Sequence, residues 1–173
     1  VEIFSDVMCP WCVIGYKQLE QALGTLAGEI EADIRWQPFE LNPDMPGEGE
    51  DSAEHIARKY GRAPDPEMRS RMEAMAAQAG YDMRYQGEGE GPQARLWNTF
   101  LAHKLLRWAL EAHGAEAQTR LKLALFDAHF QQRRIIQYHL IRTGQHDLLH
   151  ARANQHRSLQ RIARLHQRHP VFI

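Results

Sequence analysis

The sequence predicts an α/β fold in which a β-α-β unit leads into a block of helices. Three observations carry that expectation. A short strand pattern at residues 2–5 gives way to helical periodicity from Pro10, and period-two alternation returns around Ile34 and Trp36. A turn-rich segment, Asn42 to Asp51, holds Pro43, Pro46, Gly47 and Gly49 and closes this first unit. Helical patterning then runs from Ser52 to Phe130.

Glu2 to Ser5 reads as a strand that enters the motif Asp6-Val7-Met8-Cys9-Pro10-Trp11-Cys12. The following helix, Pro10 to about Leu26, places Leu19, Leu23 and Leu26 at helical spacing. Pro10 suits its first turn, where a missing N–H costs nothing, and Gly28 ends it. Glu31 to Leu41 alternates Ile34 and Trp36 with Arg35 and Gln37, as a half-buried strand does, and Pro38 makes its far end an edge or a bulge. Two such strands around a helix fit a parallel pair with a right-handed crossover.

Ser52 to Tyr60 is a short helix with Ser52 as N-cap and Gly61 after its end. Pro66 to Ala79 carries Met68, Met72, Met75 and Ala76 on one face and stops at Gly80. Ala94 to His113 has the apolar stripe Trp97, Leu101, Leu105, Trp108 and Ala112, closed by Gly114. Glu116 to Phe130 turns Leu121, Leu125 and Phe126 inward.

Composition narrows the function classes. The 173 residues are 43% hydrophobic and 25% charged, a globular balance that excludes wholesale disorder. No apolar run approaches the ~18–20 residues that span a bilayer. Two Cys exclude a multi-disulfide scaffold and a four-cysteine zinc site. A net charge of −1 argues against a global electrostatic footprint for nucleic acid. That charge is an average of unlike parts. Val1 to Phe130 holds 13 Lys and Arg against 21 Asp and Glu, a balance of −8. Gln131 to Ile173 holds 8 Arg against Asp147 alone, a balance of +7, with six of the ten His and no Lys or Glu.

Cys9-Pro10-Trp11-Cys12 carries the chemistry. A C-x-x-C pair that follows a strand and opens a helix within a β-α-β pattern reads as redox-active. Cys9 falls at or near the helix N-cap, where free N–H groups and the positive helix end favour a thiolate. Cys12 lies one turn on, the better buried of the two, placed to resolve a mixed disulfide on Cys9. Pro10 and Trp11 tune the pair by limiting flexibility and shielding one side. The plainer readings are two structural cysteines or half of a zinc site.

Three strings resemble one family in the right order. SDVMCPWCVIG looks like the active-site segment of the DsbA-like thioredoxin-fold oxidoreductases, in their FrnE-like cytoplasmic branch. WQPFELNPDMP is similar to that branch's second strand and turn, and WNTFLAHKLLRWA to a helix of its inserted helical domain. Relatives of the branch include 2-hydroxychromene-2-carboxylate isomerase and kappa-class glutathione transferase.

The resemblance spans Val1 to about Phe130. It implies a thioredoxin fold that begins with residues 1–41, is interrupted by a helical domain over 42–130, and resumes over 131–173. It also implies disulfide exchange with protein or small-thiol substrates, with no bound cofactor, in the cytoplasm, and it leaves room for a homodimer. Neither a membrane nor a nucleic acid is an expected partner. Asn98 and His103 fall where that family's helix overhangs the substrate groove, His103 more readily as a structural residue. The alternative on the same scaffold is a glutathione-dependent isomerase or transferase, with glutathione as co-substrate; Cys12 argues against it, since those relatives need no second Cys.

The tail departs from the family. Only His169-Pro170-Val171-Phe172-Ile173 looks like the family's proline loop entering a strand, which would make Pro170 the cis-proline that faces the cysteines. The rest is atypical or truncated. A shifted reading frame or misassigned sequence explains its composition better than a genuine basic extension. His146 with His150, and His166 with His169, could share helix faces. With only Asp147 nearby they read as solvated polar surface rather than metal ligands.

Overall fold

A computed structural model describes residues 1–136. Pro170 and the paired histidines of the tail lie outside them. Glu2–Ser5 (β1), Pro10–Thr25 (α1) and Arg35–Pro38 (β2) form the expected β-α-β unit. β1 and β2 pair in parallel, with Ile3 opposite Trp36 and Ser5 opposite Pro38. Pro38 ends the strand, as a residue without an N–H must when its donor would be needed. Leu19 and Leu23 are only half-buried and Leu26 is exposed; the buried face of α1 is Val13, Ile14 and Tyr16 near the first turn.

A two-stranded antiparallel ribbon follows, Glu50–Asp51 (β3) against Arg95–Leu96 (β4). Gly49 makes it possible. Its φ is +71°, and a Cβ there would stand 2.3 Å from the Leu96 carbonyl oxygen and 2.6 Å from the Trp97 ring. The sequence pattern reads residues 95 and 96 as helix. They form a strand because the ribbon claims their backbone, and the Ser52 N–H continues it by donating to the Ala94 carbonyl at 2.9 Å.

Ser52–Tyr60 (α2) and Pro66–Gln78 (α3) have the expected extents to within a residue. The N-cap of α2 is Asp51 rather than Ser52: its carboxylate accepts from the Ala53 and Glu54 N–H groups, both at 2.9 Å. A carboxylate is the stronger acceptor at the positive end of a helix. Gly61 closes α2 in the left-handed conformation.

The last element, Phe100–Phe130 (α4), is one rod broken at Gly114, whose φ of 86° and ψ of 176° are not helical. Its first half starts six residues later than the sequence pattern suggests, and the buried face is rotated. Ala102, His103, Leu106 and Ala109 point inward, while Leu101 is exposed. On this face His103 comes to 3.8 Å from the carboxylate of the buried Asp6.

The second half of α4 lies against β2. Gln118 is 1% exposed and completes the free edge of that strand. Its side-chain oxygen accepts from the Trp36 N–H, and its amide donates to the Trp36 carbonyl, each at 2.9 Å. One side chain thus satisfies both backbone groups that an edge strand leaves open. The principal core joins α1, β2, α3 and α4 through Val13, Ile14, Tyr16, Trp36, Ala76, Ala79, Tyr81, Met83 and Phe126. Residues 42–130 and the β-α-β unit therefore share one hydrophobic cluster. Among the described residues no helix is long and apolar enough to cross a membrane.

Candidate active site

β1 delivers the chain to a buried turn, Asp6 to Met8, and Cys9 becomes the N-cap of α1 with φ −84° and ψ 115°. Pro10 occupies the first helical turn, and the Cys9 carbonyl accepts from the Cys12 N–H at 3.1 Å. The C-x-x-C spacing then puts both sulfurs on one side of that turn, close enough to hydrogen-bond each other.

The two sulfurs face different surroundings. Cys9, Pro10 and Trp11 line a cavity of about 870 Å³, whose walls include Met8, Met72, Met83 and Trp97. Trp11 stands at its lip, 54% exposed. Cys12 is not part of the lining. The sequence argument made Cys9 the exposed member and Cys12 the better buried one. The structure reverses this: Cys9 is 9% exposed and Cys12 half-buried. Cys9 lies in a recess, and its low exposure is that of a residue in the cavity wall.

The pair divides one proton unequally. The hydrogen bond from the Cys9 thiol is the largest influence that pulls Cys12 down, to about 6. Burial works against it, while the Ser5 hydroxyl, the Asp6 backbone and the Lys122 charge add to it. Cys9 is pushed up by its bond to Cys12, by burial and by the neighbouring charge, although the Cys12 and Trp11 backbone groups favour its ionised form. The helix N-terminus therefore acts on Cys9 as expected, but the bond between the two thiols, with smaller help from the Ser5 hydroxyl, the Asp6 backbone and the Lys122 charge, favours the ion on Cys12.

Lys122 is the residue that sequence reasoning missed. It is fully buried, the largest side chain in the described residues to be so. Its Nζ donates to the Ser5 carbonyl at 3.1 Å and lies 5.1 Å from the Trp36 ring centroid and 5.0 Å from that of Phe126. Burial draws its pKa down to about 8, and the negative charges of Asp6, Cys12 and Cys9 oppose that fall. A signal was present: Lys122 is three residues before Leu125 and four before Phe126, so it shares their inward helix face.

Asp6 is the other buried charge, 1% exposed. Burial works to raise its pKa. The interaction with His103, the Leu41 N–H at 2.8 Å and the Lys122 charge outweigh that, and the carboxyl ends below its ordinary value. The His103 Nε2 stands 3.8 Å from Asp6 Oδ1, beyond hydrogen-bond reach but within ion-pair distance.

Neither residue assigned to the substrate groove lines the cavity. His103 packs under it against Asp6. Asn98 ties the 42–51 turn to α4, donating to the Met45 carbonyl at 2.8 Å and accepting from the Phe100 N–H at 3.0 Å. Among the described residues no group of three or more His, Cys, Asp or Glu could hold a metal ion.

A parallel β-α-β unit with a Cys pair opening its helix defines a thioredoxin-like dithiol domain. The sequence matches the DSBA-like thioredoxin domain family over residues 1–145, and the chain belongs to that family. It is 27% identical over 133 residues to the uncharacterized protein YwbO of Bacillus subtilis, which covers 76% of this chain and 56% of YwbO. It is also similar to the crystal structure of a probable DsbA oxidoreductase from Streptomyces coelicolor, with a TM-score of 0.62 and 26% identity over 78% of this chain and 55% of that one. The chain thus spans little more than half the length of either relative.

Proposed function

We propose that this protein exchanges disulfides with thiol or disulfide substrates through Cys9 and Cys12. The observation that carries the reading is the division of labour between the sulfurs: Cys9 opens on the cavity, and Cys12 faces the groups that stabilise a thiolate. In the oxidised form the two are bonded. A substrate thiolate attacks the Cys9 sulfur, the Cys9–Cys12 bond breaks, and Cys12 leaves as a thiolate. A second substrate thiolate then attacks the substrate sulfur of the mixed disulfide, which releases Cys9 and leaves the substrate oxidised by two electrons. In reverse, Cys9 passes its proton to Cys12 across the hydrogen bond between them and attacks a substrate disulfide; Cys12 then gives up that proton and resolves the mixed disulfide. The electron pair passes between sulfurs, so no bound cofactor enters the reaction.

The strings around Cys9, Trp36 and Trp97 support placement in the FrnE-like branch and a cytoplasmic setting. The test is the potential of the Cys9–Cys12 couple, read by alkylation of the full chain equilibrated in glutathione buffers. A two-electron couple with a defined midpoint is expected. No couple over the accessible range would overturn the reading.

A further inference from the structure

We propose that the cavity beside Cys9 selects thiols and disulfides that carry carboxylate groups, because its walls hold cations that pair with no carboxylate of the described residues. The inference rests on the dithiol reading above and adds a substrate class to it. Five Lys and Arg side chains line the cavity against three Asp and Glu. Residues 1–130 as a whole run the other way, at −8. The three acids are already committed. Asp51 caps α2 and Asp65 caps α3, each accepting from backbone N–H groups at 2.9 Å, so each faces the positive end of a helix. Glu73 accepts from Arg69, one of the five cations, at 2.9 Å.

The other four cations have neutral partners or none. Lys59, in the last turn of α2, donates from Nζ to the Leu41 carbonyl at 3.1 Å and to Asn42 Oδ1 at 2.6 Å. Arg95 of β4 donates from Nη2 to the Glu48 and Gly49 carbonyls at 3.3 and 3.2 Å, with its guanidinium 5.4 Å from the Trp97 ring centroid. Arg133, just past α4, donates to the Pro92 carbonyl at 2.7 Å and lies 5.4 Å from the Tyr85 ring centroid. Arg62, exposed in the turn after α2, has no partner among the described residues. Carbonyls, an amide and aromatic faces hold the first three in place without cancelling their charge. Three separate segments thus bring positive charge to one concavity, whose low-dielectric walls focus the field. The same walls carry Met8, Met72, Met83 and Trp97, apolar surface that takes the carbon body of a substrate of any charge. The cations therefore supply the discrimination.

The probes are dithiodipropionate, hydroxyethyl disulfide and cystamine, which are dianionic, neutral and dicationic near neutral pH. Each oxidises the reduced full chain: the probe's S–S bond breaks to give two thiols, and Cys9 and Cys12 lose two electrons to form their disulfide. Acid quenching and mass measurement of the remaining dithiol protein give the rate. Division by the rate with free dithiothreitol removes each probe's intrinsic reactivity. At about 20 mM salt the anion should be preferred over the cation about tenfold, and at about 0.5 M salt by less than about twofold. Arg62→Glu should cut the low-salt preference about threefold. Arg107→Glu, at an exposed position of α4 outside the cavity, makes the same change in net charge and should leave the preference in place. Peptide disulfides with Glu or with Lys beside the cysteine form a second arm. The arm that discriminates names the source of the carboxylate, a small thiol acid or an acidic protein segment. Equal normalised rates at low salt in both arms would overturn the inference. So would a preference that salt does not touch, or one that Arg62→Glu and Arg107→Glu lower alike. In each of those cases the dithiol reading stands. A chain that none of the probes oxidises would overturn both.

Discussion

Rising pH should stabilise the reduced protein by an increment from Cys12 that the disulfide form lacks, beyond the gain both forms share through the depressed pKa values of Lys122 and His129. The perturbation is pH alone, taken from 6 to 8. Cys12 is drawn from 9.0 to about 6 in the folded reduced chain. Its folded pKa lies below the unfolded one, so the folded state binds fewer protons across that window. The stabilisation is fully present above the unfolded value and is lost as pH falls through about 6. Its slope approaches 1.4 kcal/mol per pH unit, which gives at most about 2–3 kcal/mol between pH 6 and 8. Cys12 is half-buried, so solvent screening reduces this to about 1–2 kcal/mol. Cys9 is shifted the other way and titrates only above this window in either state. Urea unfolding of the reduced and disulfide forms, at matched pH and salt, measures the difference directly. The gap should move toward the reduced form as pH rises. Parallel stability profiles from pH 6 to 8 would show that Cys12 carries no stabilised thiolate, and the charge argument built on Ser5 and Lys122 would fail with it.

Three further outcomes follow from single residues. Cys12→Ser should abolish dithiol turnover and trap the Cys9 mixed disulfide, seen as a mass adduct; turnover that survives intact would favour a glutathione-dependent reaction at Cys9 alone. Gln118→Leu should cost about 2–6 kcal/mol in urea unfolding, because it strands the buried N–H and carbonyl of Trp36, each worth about 1–3 kcal/mol unpaired; a loss under about 0.5 kcal/mol would mean the β2 edge finds other partners. Asp51→Ala should destabilise by about 1 kcal/mol through the lost cap of α2, whereas Ser52→Ala should be nearly silent; the reverse order would return the cap to Ser52.

Much of this architecture was legible because it is local. Period-two alternation around Trp36, Pro10 at a helix start and Gly61 at a helix end are read over a few residues, and they gave β2, α1 and α2 to within a few positions. The errors arose where a distant partner decided. Arg95 and Leu96 have no helix-breaking signal, and only pairing with Glu50 and Asp51 makes them a strand. The stripe from Trp97 through Ala112 is the better hydrophobic face of its segment. α4 nonetheless buries His103, beside Asp6, a residue 97 positions earlier in the chain that only the fold brings to it.

The same division runs through the active site. The spacing of Cys9 and Cys12 singles out the two sulfurs that the proposed exchange uses, since four consecutive residues suffice to place them on one helical turn. Spacing says nothing of which sulfur holds the charge. That depends first on the hydrogen bond between the two thiols and then on groups the fold supplies: the Ser5 hydroxyl, the Asp6 backbone and a lysine 117 positions from its partner Ser5. A neutral side chain at position 122 would leave the motif and the helix start as they are, yet remove the buried positive charge that acts on the pair from α4. Two chains with the same C-x-x-C segment could therefore differ in potential by a factor that the segment does not encode. The cysteine pair sits on α1, and part of the charge that it feels comes from α4.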